Sequence, residues 1–203
     1  MPLQLYIGNK NYSSWSMRPW VLMRQAGIDF EEVMVRFDSF EPDSTFKATM
    51  KAVSPVGKVP VLVDGEVTVW DTLAIAEYLA EKFPERALWP AKPADRARAR
   101  SICAEMHSGF GALRSQCPMN IEARLPEVGQ RVMQEPDVVA DLQRLTAVWT
   151  ELLDQHGGPM LFGSFTIADA FFAPVAMRVN TYALPLAPKA REYVQNLSAL
   201  SAV

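Results

Sequence analysis

Residues 54–72 read Ser54-Pro55-Val56-Gly57-Lys58-Val59-Pro60-Val61-Leu62-Val63-Asp64-Gly65-Glu66-Val67-Thr68-Val69-Trp70-Asp71-Thr72. Two runs rich in β-branched residues, 59–63 and 67–70, flank Asp64-Gly65, a dipeptide that suits a tight hairpin turn. Pro60 removes a ladder donor at the entrance of the first run. Asp71 and Thr72 then open a helical pattern, in which Leu73, Ala76, Glu77 and Ala80 recur at helical spacing up to Phe83. A β-hairpin followed by a helix is therefore predicted here.

Upstream, Leu3-Gln4-Leu5-Tyr6-Ile7 alternates apolar and polar positions before a Gly8-Asn9 break, which predicts a short strand. Ser16 stands before Met17-Arg18-Pro19-Trp20, and a proline fits a helix best in its first turn. The spacing predicts a helix from there to Ala26, stopped by Gly27 as a C-terminal cap. Val33-Met34-Val35-Arg36-Phe37 reads as a second strand, and residues 44–50 as a helical turn or two. The order is βαβ, then helix, then hairpin, then helix. The first parallel pair needs its crossover helix, and the hairpin adds antiparallel strands to a mixed sheet.

Downstream, Pro84, Pro90 and Pro93 fall within ten residues, a linker signal that bounds residues 1–83 from the rest. With 84–95 as linker, residues 96–203 carry no convincing strand. Ala99, Ile102, Met106, Phe110 and Leu113 repeat at spacings of three and four, as do Val138, Leu142, Leu145, Trp149 and Leu152. Each set predicts an amphipathic helix. Residues 118–136 are interrupted by Pro126 and Gly129. Thr166 and Asp169 form a capping-box-like start for a buried helix through Ala176, and a last helix begins near Pro188. The expectation is an α/β domain followed by an all-α domain.

Composition is that of a globular protein: 203 residues, 49% apolar, 21% charged, net charge -3. No basic patch marks a nucleic-acid footprint, and Arg96, Arg98 and Arg100 alternate with alanines as a solvated helix face would. No uninterrupted apolar run of membrane-spanning length occurs, and residues 3–7 lead straight into a strand pattern, so neither membrane nor secretion is expected. Cys103 and Cys117, if they share one helix, lie about 21 Å apart, beyond disulfide reach. They read as buried thiols of a reducing, cytoplasmic setting. His107 and His156 have no clustered ligands around them, so no metal is expected.

Three stretches could carry chemistry. Asn11-Tyr12-Ser13-Ser14-Trp15-Ser16 places hydroxyls at a helix N-terminus, where free N–H groups and the dipole favour an anion such as a thiolate. Lowering a thiol pKa from about 8.5 to about 6.5 takes about 3 kcal/mol, within reach of one hydrogen bond plus a dipole. On spacing alone, helix capping accounts for these serines. A cis Val59-Pro60 bond would turn the Val59 backbone groups outward to pair with an extended peptide, whereas a trans bond makes an ordinary edge strand. Lys58 could meet a carboxylate. Asp71-Thr72 is an N-cap by spacing, and the same geometry would hold a zwitterionic amino-acid end: Thr72 on the carboxylate, Asp71 on the ammonium.

Taken together and in this order, these stretches resemble the glutathione-binding domain of the glutathione transferases. Ser13-Ser14-Trp15-Ser16-Met17-Arg18 is similar to the zeta-class signature Ser-Ser-Cys-Ser-Trp-Arg, and Phe165-Thr166-Ile167-Ala168-Asp169 resembles the family's buried capping motif. The resemblance implies a thioredoxin-like domain with a mixed four-stranded sheet, an all-helical second domain, glutathione as co-substrate, no metal, and a homodimer. Ser13, five positions before Arg18, becomes the hydroxyl that stabilises the glutathione thiolate, with Ser14 as the alternative one position on. Lys58, Val59, Pro60, Asp71 and Thr72 become glutathione contacts.

Departures from that pattern accompany it. Trp15 stands where the zeta motif has cysteine, and Thr181 where zeta enzymes carry an arginine for a substrate carboxylate. Arg178, one turn earlier, is the candidate substitute. The second substrate is expected between Trp15 and the helix bearing His107 and Arg114, with Met106 and Phe110 in the core. The implied activity is addition of glutathione to an electrophilic small molecule. A glutathione-dependent cis–trans isomerase of the maleylacetoacetate type, and a non-catalytic interaction protein on the same fold, are the alternatives.

Overall fold

The computed structural model describes residues 2–39 and 41–203. Strand β1 (Leu3–Ile7) buries Leu3, Leu5 and Ile7 on one face, the alternation expected of a half-buried strand. It pairs parallel with β2 (Phe30–Met34), in register from Leu3 with Phe30 to Ile7 with Met34. On its other side β1 pairs antiparallel with β3 (Val61–Asp64), which pairs antiparallel with β4 (Val67–Trp70). The strand order is β2-β1-β3-β4, the expected mixed four-stranded sheet. Asp64 pairs with Val67, so the hairpin loop is Gly65-Glu66, with positive φ at Gly65 as a tight turn requires.

Several boundaries differ from expectation in this half: β2 ends at Met34 rather than Phe37, and β3 starts at Val61 rather than Val59. Strand β2 starts at Phe30, three residues before the predicted Val33, because pairing with β1 selects the segment next to the crossover helix. Helix α1 (Ser14–Gln25) is capped by Ser13 rather than Ser16. Ser16 already lies inside the helix, and its Oγ accepts from the Gly8 N–H at 3.0 Å and from the Ser13 hydroxyl at 2.7 Å. Pro19 therefore sits inside α1, not in its first turn, and the Trp15 carbonyl loses its ordinary helical donor. The C-terminus follows expectation: Gly27 is left-handed, Ile28 N–H donates to Met23 C=O and Gly27 N–H to Arg24 C=O.

Helix α2 (Thr45–Val53) is capped by Ser44, and α3 (Thr72–Lys82) by Asp71. After a single 3₁₀ turn at Pro84–Arg86, α4 (Pro93–Ser108) starts inside the stretch predicted as linker, with Pro93 at its first position. Then follow α5 (Gly111–Gln116), α6 (Pro126–Val132), α7 (Pro136–His156), α8 (Ile167–Tyr182) and α9 (Pro188–Ser198). Among the described residues this half holds isolated β-bridges around 160–164 but no strand. The fold is a thioredoxin-like α/β domain followed by an all-α domain.

The apolar repeat read as one helix from Ala99 to Leu113 is two helices. At Gly109 a Cβ would lie 2.8 Å from the Glu105 carbonyl oxygen, and Phe110 takes a left-handed φ of 55°. The break preserves the three-and-four spacing, which is why the period hides it. Met106 and Phe110 are core, as expected. Cys103 lies on α4 and Cys117 just after α5; both are buried free thiols, so the shared-helix geometry does not apply.

Helix α8 is the centre of the molecule, buried on all sides except at Asn180, and it packs against α1, α4, α6 and α9. That burial explains its near-continuous apolar run. It runs to Tyr182, beyond the predicted Ala176. Its capping box is present: Thr166 Oγ1 accepts from Ala168 N–H at 3.3 Å and the Asp169 carboxylate from Thr166 N–H at 2.8 Å. Asp169 also accepts from Leu161 N–H and Tyr193 OH, and burial pushes its carboxyl up to about 6. Gly129 lets α6 touch the end of α8, where a Cβ would stand 1.7 Å from the Tyr182 carbonyl oxygen. No described helix is long and apolar enough to cross a membrane.

Candidate active site

A cleft of about 460 Å³ opens between the N-terminus of α1, the entrance of β3 and the start of α3. Trp15, Lys58, Val59, Pro60, Asp71 and Thr72 wall it, with half-exposed Val56 and Trp70 beside them. Its size is that of a small-molecule site. The Val59-Pro60 bond is cis. Asp71 holds φ 75° and ψ 137°, a backbone conformation that costs a non-glycine residue about 1–3 kcal/mol and clusters at ligand sites. Its Oδ1 accepts from Leu73 N–H at 2.9 Å, and its half-exposed carboxylate remains open to the cleft.

Trp15 also walls a second cleft of about 460 Å³, whose polar lining is Tyr12, Ser14, Arg114, Ser115 and Arg178. Trp15 is thus the partition shared by two spaces. Its indole is held from several sides: Arg18 lies 4.4 Å and Arg114 4.8 Å from the ring centroid, and His107 meets it edge-on at 5.0 Å. Cation–π contacts of this kind contribute about 0.5–2 kcal/mol each.

Ser13 lines neither cleft. It is buried at the N-cap, where its Oγ donates to Ser16 Oγ at 2.7 Å and accepts from Ser16 N–H at 3.4 Å. It borders a smaller apolar cavity of about 130 Å³, shared with Ile7, Trp20 and Val203. Of the two adjacent serines, Ser14 is the one beside Trp15.

The electrostatics of this region are cationic. Arg18 is 3% exposed, and burial, reinforced by Arg114 and Arg178, lowers its pKa to about 9. Burial with Arg114 nearby lowers Arg178 to about 10, and burial lowers Arg114 too. His107 is lowered by burial and by Arg18 and Arg114, against the pull of Asp71. Guanidiniums crowded together and desolvated in this way favour an anion among them.

His107 and Arg114 do meet, though from two helices: Arg114 Nη1 donates to the carbonyls of His107 at 3.2 Å and Gly109 at 3.3 Å. His107 reaches across to the first cleft, with Nε2 3.3 Å from Asp71 Oδ2 and Nδ1 3.4 Å from Thr72 Oγ1. Arg178 is buried, its Nε donating to Cys117 C=O at 2.8 Å and its Nη1 to Pro174 C=O at 3.1 Å. Thr181 is buried as well and donates to Asn120 C=O at 2.7 Å. No group of three or more His, Cys, Asp or Glu residues among the described ones could hold a metal ion.

By sequence Arg18 marks only the spacing from Ser13. The structure puts it at the centre: Nη1 donates to Thr72 Oγ1 at 3.4 Å, the guanidinium also faces Phe171, and the buried Nε has no hydrogen-bond partner. A charged residue between Met17 and Pro19 in a largely buried helix was the available signal.

Residues 12–82 match the family described as glutathione S-transferase, N-terminal domain. Among curated relatives, a probable maleylacetoacetate isomerase from Caenorhabditis elegans is 31% identical over 91% of this chain and 82% of its own length. A zeta-class glutathione S-transferase from Euphorbia esula is 30% identical over 80% of this chain and 70% of its own. Among solved structures, a glutathione transferase homologue from Burkholderia gl BGR1 with bound glutathione superposes with a TM-score of 0.72. It is 26% identical and covers 100% of this chain and 94% of that one.

Proposed function

The chain belongs to the glutathione S-transferase family of enzymes, and from that premise we propose that it binds glutathione in the Trp15–Thr72 cleft and adds the sulfur to a small electrophile beside Arg114. The observation that carries this reading is the shared partition: Trp15 borders both clefts, so a sulfur placed beside it faces the second. Thr72 and Asp71 take the carboxylate and ammonium of the γ-glutamyl end, Val59 pairs with the cysteinyl backbone, and Lys58 meets the glycyl carboxylate. The sulfur lies at the N-terminus of α1, where the free N–H groups and dipole stabilise the thiolate.

Ser14, not Ser13, is the hydroxyl in this reading, because Ser14 lines the second cleft on the Trp15 side that the sulfur faces, while Ser13 is turned toward Ser16. The thiol loses its proton to solvent and the thiolate adds to an activated C=C carbon; as the C–S bond forms, the π pair moves to the neighbouring carbon, which takes a proton back from solvent. Stabilising the anion and holding both reactants close supply the acceleration, without a general-base histidine. Arg114 and the cationic surroundings suit an electrophile that carries a carboxylate.

A second reading has its own support. Relatives named as maleylacetoacetate isomerases cover most of the chain, and a reversible thiolate addition that permits rotation about a double bond needs the same two clefts. Homodimerisation goes with either reading and is tested by the mass of the protein in solution.

Calorimetric titration with reduced glutathione tests the first step. Saturable binding at one site per chain supports it, and screening of acidic electrophiles for conjugation against isomerisation then separates the two activities. Absence of heat with both glutathione and a non-reactive S-alkyl glutathione would sink the reading and favour a non-catalytic interaction protein.

A further inference from the structure

Thr72 Oγ1 is contested by two neighbours. Arg18 Nη1 lies 3.4 Å away and can only donate, so the hydroxyl oxygen accepts from it. His107 Nδ1 lies 3.4 Å away on another side, while its Nε2 faces Asp71 Oδ2 at 3.3 Å. A carboxylate accepts only, so Nε2 carries the ring proton and Nδ1 of the neutral ring is an acceptor. The single proton of the Thr72 hydroxyl is then directed at His107.

A ligand carboxylate at Thr72 needs that same proton. If the hydroxyl turns to the ligand, neutral His107 loses its donor in a half-buried site. A proton on Nδ1 removes the conflict: the imidazolium donates through Nδ1 to Thr72 Oγ1 and through Nε2 to Asp71, and the hydroxyl proton is free for the ligand. We propose that His107 is a positioning residue for the glutathione site, taking up a proton when the γ-glutamyl carboxylate binds and so turning Thr72 into a donor toward it. This rests on the binding reading above and adds to it a residue from α4, outside the sheet domain.

The charged groups that face His107 are Asp71 at the start of α3, Arg18 on α1 and Arg114 on α5, with Arg178 on α8 behind Arg114. In the free protein burial and the two arginines hold the imidazole below its usual range, with Asp71 opposing. An arriving carboxylate offsets the arginines. The ammonium that arrives with it weakens the pull of Asp71, but the carboxylate also takes the Thr72 proton away from Nδ1 and leaves that nitrogen to be protonated, so the imidazole pKa is higher in the complex than in the free protein. Affinity is greatest below the free value and falls as pH rises through the bound value, by at most about tenfold per pH unit.

S-methylglutathione is the probe, because its sulfur cannot ionise and its carboxylates stay charged above about pH 5. Titration at about pH 6.5, in two buffers of different ionisation enthalpy, counts the protons exchanged. Wild type is expected to take up between a few tenths and one proton per site, with affinity falling toward higher pH. His107→Gln, which keeps a donor and an acceptor but cannot be protonated, should still bind, take up no proton and show a flat pH profile. Binding without proton uptake in wild type, or uptake that persists in His107→Gln, overturns the inference and leaves the binding reading standing. No binding by wild type overturns both.

Discussion

Ser13 Oγ donates to Ser16 Oγ across 2.7 Å, and the Ser16 hydroxyl in turn accepts from the Gly8 N–H. The pair ties the cap of α1 to the end of β1, so Ser13 works on the helix while Ser14 is left to the cleft. Ser14→Ala is expected to raise the pKa of bound glutathione thiol by about one unit or more, read from thiolate absorbance, with binding retained. Ser13→Ala should instead cost about 1 kcal/mol of stability through the lost cap, read in a urea melt. If Ser13→Ala shifts the thiol and Ser14→Ala does not, the roles are reversed.

Arg18 is a buried cation among cations, with only a long hydrogen bond to Thr72. Replacing it by an apolar side chain of similar length removes a buried charge that Asp71 only partly offsets, while preserving packing against Trp15 and Phe171. Arg18→Met should leave the thermal midpoint unchanged or raise it, yet weaken S-methylglutathione binding about tenfold, or about 1.4 kcal/mol. A midpoint lowered by many degrees would mean that Arg18 holds the fold rather than the ligand.

Asp71 combines a strained backbone, a helix cap and an open carboxylate. Asn tolerates the positive φ and can accept at the cap, so Asp71→Asn isolates the charge. Stability should change by less than about 1 kcal/mol, and glutathione affinity should fall by about tenfold or more once the ammonium loses its counter-charge. Unchanged affinity in calorimetry would remove Asp71 from the site.

Local chemistry made much of this architecture legible. Gly27, the hairpin at Gly65 and the Thr166–Asp169 box are each decided within a few residues, and the structure has all three, with the hairpin loop one residue on at Gly65-Glu66. What failed depended on partners elsewhere in the chain. Ser16 reads as the cap but lies inside α1 with its hydroxyl bonded to Gly8, and Val33 reads as a strand start until β1 selects Phe30. The cationic surround of Trp15 is drawn from α1, α4, α5 and α8, so no window of sequence contains it. The sequence puts His107 on one predicted helix with Arg114, but its reach to Asp71 and Thr72 exists only because α4 packs on α3.

By sequence Gly129 interrupts a helical stretch, whereas in the structure it lies inside α6 where that helix meets the end of α8. A methyl group there would overlap the Tyr182 carbonyl oxygen at 1.7 Å, and the obstacle is backbone, which cannot rotate away. The neighbouring Leu125 N–H donates to Thr181 C=O at 2.7 Å, so separating the helices also strains that hydrogen bond. Gly129→Ala should therefore destabilise the protein by at least about 2 kcal/mol, despite the better helix propensity of alanine. Gly111→Ala is the matched control: it opens α5, its φ is not positive, and nothing lies within 4 Å of the added carbon. That variant should leave the urea midpoint unchanged or raise it slightly, through the reduced freedom of the unfolded chain. Equal midpoints for the two variants would mean that the α6–α8 contact is looser than the close approach of Gly129 requires.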